Sequence, residues 1–187
     1  MGPRMAVGYI PDSFGQSAQL PMFLNQFAIE HAVIWRGWSE YDSENSEFCW
    51  RSQDGSCVTT AVLPQGYGCA KWLPTEPEQA WPRLSAILEK QGLFSRSSQL
   101  LLPNGNDQSP FEYGVPAMLE ALNARQNHYH FIRSDFKRYF TALAQSGTPL
   151  DTFEGELLSP KYMRIHRGIF STRMDIKQAN ARLENFL

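Results

Sequence analysis

The sequence predicts an α/β fold: part of a (β/α) barrel-like domain with a mainly parallel sheet and one β-hairpin. Three observations carry this. Short apolar runs with no polar alternation recur along the 187 residues, the pattern of strands buried on both faces. Stretches whose apolar residues follow a helical period come between them. One pair of runs flanks Gln53-Asp54-Gly55-Ser56, where Asp-Gly is a strong hairpin-turn signal.

Taken in order, residues 5–10 form an apolar strand ended by Pro11, and Leu20, Phe23, Leu24 and Phe27 mark one face of a helix. Residues 32–35 read as a second buried strand. Residues 47–52 and 57–63 form the hairpin. A helix over 78–91 is apolar at Trp81, Leu84, Ile87 and Leu88 and stops at Gly92. A strand at 99–102 runs into Pro103-Asn104-Gly105-Asn106-Asp107. The next helix carries Val115, Met118, Leu119 and Leu122. Residues 129–132 read as another strand, and Ser134 or Asp135 caps a helix bearing Phe136, Tyr139, Phe140 and Leu143. Residues 150–158 are extended or irregular. A last helix from about Ser171 aligns Ile176, Ala179, Leu183 and Phe186. About four strand–helix units and one hairpin result. A closed barrel needs more strands, so residues 1–187 read as a single domain that is part of a larger one.

Composition narrows the function. With 42% hydrophobic, 13% aromatic and 19% charged residues, the chain is globular rather than disordered. A formal net charge of −2 provides no basic field for nucleic acid or an anionic membrane surface. No apolar run approaches the roughly 20 residues of a membrane span. Met1-Gly2-Pro3-Arg4 leads straight into strand pattern with no signal-peptide regions. Cys49, Cys57 and Cys69 are odd in number and lack CxxC spacing, so they read as reduced thiols of a cytoplasmic protein. The strand edges of a partial barrel also leave self-association into a homo-oligomer open.

In parallel α/β folds chemistry gathers at the carboxyl ends of strands. Two acidic loops lie there: Pro11-Asp12-Ser13-Phe14-Gly15-Gln16, and Asn104-Gly105-Asn106-Asp107-Gln108. Two carboxylates facing one cleft are the minimum equipment for glycoside hydrolysis, one acting at the anomeric carbon and the other protonating the leaving oxygen. Each loop also has a plain alternative. Asp12 or Ser13 could cap the following helix, with Gln16 completing a capping box, and Asp107 could cap a helix over 110–124. His128 and His130 would share a strand face that could suit a metal, but Tyr129 and Phe131 make a structural edge the simpler reading. Glu154 and Glu156 read as solvated loop charges. No phosphate-binding Gly-rich loop, Ser-His-Asp order or HExxH occurs.

The run Gly8-Tyr9-Ile10-Pro11-Asp12-Ser13-Phe14-Gly15-Gln16-Ser17 resembles the strand end of glycoside hydrolase family 38 α-mannosidases, where an Asp-x-Phe-Gly-x-Ser stretch occurs. Val33-Ile34-Trp35-Arg36-Gly37 is similar to the family's next strand, which ends in an active-site arginine. Gly105-Asn106-Asp107 resembles its acid loop, and Gly155-Glu156 with His166-Arg167-Gly168-Ile169-Phe170-Ser171-Thr172-Arg173 its later motifs. The wording looks closest to the bacterial branch that includes mannosylglycerate hydrolase.

The resemblance implies a retaining, zinc-assisted hydrolysis of (6-phospho)mannosyl-D-glycerate or a similar small α-mannoside. Asp12 would be nucleophile and metal ligand, and Asp107 the acid/base. Arg36 would hold Asp12 by a charge-assisted contact, with Phe14, Asn106 and His166 at the substrate. Asn106 stands where the family has an acid, and His166 where many relatives have an aromatic residue. The family's His-x-Asp segment is missing from the sequence, and the later histidine of the metal site would fall beyond it. The remaining zinc ligands are therefore expected outside this chain, which would be the central part of the catalytic domain. The alternative is a truncated or degenerate domain, carbohydrate-binding or structural, with no turnover of its own.

Overall fold

A computed structural model describes residues 5–126 and 128–186; the reading of Met1 to Arg4 as a start without a signal lies outside them. Five strands, β1 (Val7–Ile10), β2 (His31–Ile34), β3 (Glu47–Arg51), β4 (Cys57–Val62) and β5 (Asp151–Glu154), form one sheet in the order β1-β2-β4-β3-β5. β1, β2 and β4 run parallel, β3 is antiparallel to β4 through the expected hairpin, and β5 is parallel to β3. The helices are α1 (Leu20–Gln26), α2 (Pro77–Gly92), α3 (Val115–Arg125), α4 (Phe136–Gln145) and α5 (Met174–Glu184). The mixed α/β architecture with a mostly parallel sheet thus stands as expected.

Alternate residues of β2 and β4 feed two cores. Ala32, Ile34, Val58 and Val62 meet Leu24 of α1, Trp38, Phe48, Trp50 and Leu157 on one face. Val33 and Ala61 meet Val7, Leu63 and the Tyr139, Phe140 and Leu143 face of α4 on the other. A third cluster joins Leu84 and Leu88 of α2 to Met118 and Leu122 of α3. Burial on both faces is why the two central strands read as continuous apolar runs. Prolines at the first turns of α1, α2 and α3 suit positions whose N–H has no helical partner. Asp135, one of the two expected caps, accepts the Arg138 N–H at 2.8 Å and starts α4.

Three expectations need correction. Residues 99–102 form no strand: Leu100 and Leu102 turn to the α2–α3 cluster while Leu101 packs under the sheet, so the segment bridges two cores. Residues 129–132 also form none. Asn123 takes the place of a neighbouring strand, accepting the Phe131 N–H and donating to its carbonyl, both at 2.8 Å; Gln126 accepts the Tyr129 N–H at 2.8 Å. Cys49 and Cys57 are joined across the hairpin as a disulfide, Cα atoms 6.2 Å apart, and Cys69 is the free thiol. The cytoplasmic expectation loses the support it drew from three reduced thiols. The last helix forms as expected, as α5; its Ile176 and Leu183, and Phe186 just beyond it, are exposed, as are Phe23 of α1 and Phe27 just past its end. No helix among the described residues is long and apolar enough to cross a membrane.

One short segment crosses the carboxyl ends of β1 and β2. Gln16 and Leu157 exchange both backbone hydrogen bonds at 3.0 Å, and the Ser159 N–H reaches the Gly37 carbonyl at 2.7 Å. Gly37 sits at φ +100°, and a Cβ there would lie 2.1 Å from the Leu157 carbonyl oxygen. Gly15, at φ +111°, would meet Leu158 at 2.5 Å. Only glycine lets the three backbones approach this closely. Gly37→Ala should therefore destabilise the chain by about 3 kcal/mol or more, read by urea unfolding.

Glu47 is a buried carboxylate whose pKa is raised, chiefly by burial; hydrogen bonds from Ser95, the Arg96 N–H and Tyr139 act against that shift. A carboxyl whose folded pKa lies above its unfolded one binds protons more tightly when folded. Its contribution is complete below the unfolded value and is lost as pH rises through the folded one. Glu47→Gln should flatten the fall in stability above about pH 4, measured by chemical unfolding across pH.

Candidate active site

The loop after β1 presents Asp12, and the residues just past β2 present Trp35 and Arg36. The Arg36 Nε donates to Asp12 Oδ1 at 2.6 Å, and Nη2 lies 2.6 Å from the same oxygen. Nη1 donates to the Arg164 carbonyl at 2.9 Å, so the segment that crosses the strand ends also aims this guanidinium. Its plane lies between two rings, 4.7 Å from the centroids of both Phe14 and Trp35. The Arg36 side chain is 12% exposed and that of Asp12 46%. The arginine is thus a built-in wall of the site and the carboxylate its accessible face. Asp12 Oδ2 has no partner among the described residues.

Asp107 reaches the same edge from the loop after residues 99–102. Its Oδ2 accepts the Tyr67 hydroxyl at 3.1 Å, and its N–H is held by Asn106 Oδ1 at 2.8 Å. Tyr67 stands edge-on to Trp35, ring centroids 5.0 Å apart. The chain of contacts Asp12–Arg36–Trp35–Tyr67–Asp107 therefore runs unbroken from one carboxylate to the other. Desolvation first, then the hydrogen bond from Tyr67 to Asp107 and the fields of Asp107 and Asp12, raise the Tyr67 phenol, with Arg36 opposing. Tyr67 thus donates as a neutral hydroxyl. Asp107 also adds to the rise at Tyr9, where burial is the larger cause.

The capping alternatives do not describe these residues. α1 begins at Leu20 behind Gln19 and α3 at Val115 behind Gly114, neither with a side-chain cap. His166 meets the Phe14 ring edge-on at 5.2 Å, with its backbone at φ +44°, so Phe14, Arg36 and His166 share one corner. Asn106 is exposed beside Asp107. His128 and His130 are exposed in the irregular segment before α4, away from any such cluster. Glu154 pairs with Arg51 on the sheet surface, and Glu156 is exposed.

Tyr67 was not singled out from sequence, although it sits just past the carboxyl end of a parallel strand, where such residues belong. A cleft of about 1140 Å³ borders the site through Tyr9, Tyr67, Asn104 and Gly105 and continues between α4 and the α2–α3 pair; Asp12 is not among its walls.

Among the described residues, no group of three or more His, Cys, Asp or Glu side chains converges as a metal site would require. The donors of this chain do not by themselves fit the zinc that the family resemblance implies.

The sequence matches the family described as the glycosyl hydrolases family 38 N-terminal domain over residues 1–158. It is 30% identical to a protein of Halalkalibacterium halodurans named "Putative mannosylglycerate hydrolase", over 98% of this chain and 22% of that protein. It is 25% identical to alpha-mannosidase G of Dictyostelium discoideum, over 96% of this chain and 16% of that one. The crystal structure of an alpha-mannosidase from Enterococcus faecalis V583 superposes with a TM-score of 0.79 at 27% identity, covering 86% of this chain and 19% of that one. The chain belongs to glycosyl hydrolase family 38, and it spans about a fifth of the length of these relatives.

Arg36→Met would leave both Asp12 Oδ1 and the Arg164 carbonyl unpaired. It should cost about 2 kcal/mol and speed amide hydrogen exchange around residues 159–166, read by mass spectrometry.

Proposed function

We propose that this family 38 chain carries the two catalytic carboxylates of a retaining α-mannosidase, with Asp12 as nucleophile and Asp107 as acid/base. The observation that supports this is the contact chain through Arg36, Trp35 and Tyr67, which ties both carboxylates to one edge of the sheet. Arg36 occupies Asp12 Oδ1 from two nitrogens, leaving Oδ2 to attack the anomeric carbon. As that bond forms, the glycosidic C–O bond breaks, and Asp107 gives its proton to the departing oxygen. Asp107 then takes a proton from water, whose oxygen displaces Asp12 and restores both carboxyl groups. Two inversions at one carbon give net retention. Tyr67 steadies the Asp107 carboxylate through both half-reactions, and Phe14 and His166 form an aromatic corner for the sugar.

The substrate is a small carbohydrate. The relatives' names point to α-mannosides, mannosylglycerate among them, and this is the substrate class we assign. A zinc contribution by this chain would reduce to one ligand, Asp12, with the others supplied by the remainder of a longer catalytic domain. That shortage of donors favours one second reading: residues 1–187 alone bind carbohydrate or serve structurally, and turnover requires further protein.

In the protein that contains these residues, an activated fluoro-α-mannoside should leave a covalent mannosyl adduct on the peptide bearing Asp12, found by mass spectrometry. An adduct on another carboxylate would remove the assignment. Asp107→Ala should spare glycosides whose leaving group needs no proton, such as nitrophenyl mannosides, far more than natural ones. Equal losses of kcat/KM on both would count against Asp107 as the acid.

A further inference from the structure

Beyond its pairing with Gly37, the segment that crosses the strand ends has little backbone to hold it. Among the described residues, the backbone groups of residues 160–165 make two hydrogen bonds: the Lys161 N–H donates to the Ser159 hydroxyl at 3.3 Å, and the Arg164 carbonyl accepts Arg36 Nη1. Side chains set its place instead. Glu40 takes two donors from it, the Lys161 ammonium and the Tyr162 hydroxyl, the latter at 2.7 Å. The Tyr162 ring stacks on Trp38, centroids 5.4 Å apart and planes at 18°, and meets Phe94 edge-on. Lys161 lies 4.9 Å from the centroid of the Tyr41 ring, and Ile165 is buried beside Arg164 in the sequence. Glu40 itself stands on a firm base. Trp38 and Ser39 before it are buried, and Asp42 accepts the Ser39 N–H at 2.8 Å and its hydroxyl at 2.9 Å. The hydrogen bonds from Lys161 and then Tyr162 hold the Glu40 carboxyl down to about 2, so it is anionic across the neutral range.

We infer that Glu40 is a positioning residue of the candidate active site: by clasping Lys161 and Tyr162 it fixes the Arg164 carbonyl, and through it the guanidinium that holds Asp12. The inference rests on the reading of Asp12 as nucleophile. An exposed ion pair contributes little stability by itself, so the weight lies in what this one joins. The loop after β2 grips the crossing segment three times in succession, at Ser159 through the Gly37 carbonyl, at Lys161 and Tyr162 through Glu40, and at Arg164 through Arg36. Only the last grip touches the site, and it works in both directions. Arg36 lies flat between Phe14 and Trp35, and two rings bar a guanidinium from tilting but leave it free to turn in its own plane. The acceptor at Nη1 stops that turn. If the Arg164 carbonyl drifts, Nε and Nη2 no longer converge on Asp12 Oδ1, and the attacking oxygen loses its fixed direction. Displacements of about 1 Å are enough to cost rate when reacting atoms must be aligned.

The Arg36 Nε–H, followed by NMR in the chain, reads this directly. The Glu40 side chain is 33% exposed, so its removal opens no cavity in the core. Glu40→Ala should speed exchange of the Arg36 Nε proton with water by about fivefold, while the amides of β2 and β4 keep their protection. Exchanging the charges, Glu40→Lys with Lys161→Glu, should restore most of the lost protection. In the protein that contains these residues, Glu40→Ala should slow formation of the mannosyl adduct on Asp12 by about tenfold. That loss should fall on the maximal rate rather than on the concentration giving half of it. Unchanged exchange at Arg36, faster exchange throughout the sheet, no recovery in the charge-exchanged variant, or an unslowed adduct would each overturn the role of Glu40 while leaving the Asp12–Asp107 reading in place. No adduct on Asp12 in the unaltered protein would remove the nucleophile reading, and the positioning role with it.

Discussion

The site depends on a backbone crossing. Leu157 and Ser159 pair with the loops that leave β1 and β2, at a separation only glycine permits at positions 15 and 37. Leu157 is fully buried against the core formed by Trp38, Trp50 and Val62, so the crossing is anchored by apolar packing as well as hydrogen bonds. Its consequence is electrostatic. The same segment runs on to Arg164, whose carbonyl takes one guanidinium nitrogen and leaves the other two for Asp12. A nearly buried cation needs its donors satisfied, and here each donor's partner also fixes the direction of the group. The accessible carboxylate is oriented without being enclosed.

The second carboxylate is held by different means. Asp107 is exposed and lies on a loop with no regular structure, so its orientation comes from Tyr67 and Asn106 at close range and from Glu112 farther along. Glu112 gathers Trp72, Asn104 and the buried Lys71 amine. A buried ion pair contributes little net stability because desolvation offsets the attraction, but breaking one partner leaves an expensive orphan. Such a pair therefore suits the fastening of two loops in one register better than the adding of stability.

Elements legible in the sequence were those set by local or near-local physics. Two-sided burial produced the runs of β2 and β4, Asp54-Gly55 the hairpin, and Asp135 the start of α4. Asp12, Arg36 and Asp107 were legible because each sits at the end of a strand-like run within a recognisable motif. The 129–132 segment misled for a definite reason: its alternation is genuine, but its backbone is satisfied by the Asn123 and Gln126 side chains, and periodicity reports which side is buried, not what pairs the backbone. The strap across β1 and β2 was invisible, since nothing in residues 157–159 announces partners more than 120 positions away. Tyr67 was illegible because it is uncharged and stands in no recognisable motif, whereas the junction between two carboxylates calls for just such a neutral donor.

The neutral donor helps explain why the site is a chain of contacts rather than a direct pair. Two carboxylates brought together without an intermediary repel, and one of them takes up a proton it would otherwise lose. Here Arg36 stands against Asp12 and the Tyr67 hydroxyl against Asp107, with the Trp35 ring between them. The cation satisfies the group proposed as nucleophile, whose role calls for a negative charge. The neutral phenol, raised further from ionisation by desolvation and by Asp107 itself, serves the group proposed as acid/base. A guanidinium at Asp107 would oppose its protonation, and a phenol alone at Asp12 would leave its charge less well supported. The proposed roles of nucleophile and acid thus draw support from which partner each carboxylate keeps, independently of the order in which the two loops occur in the chain.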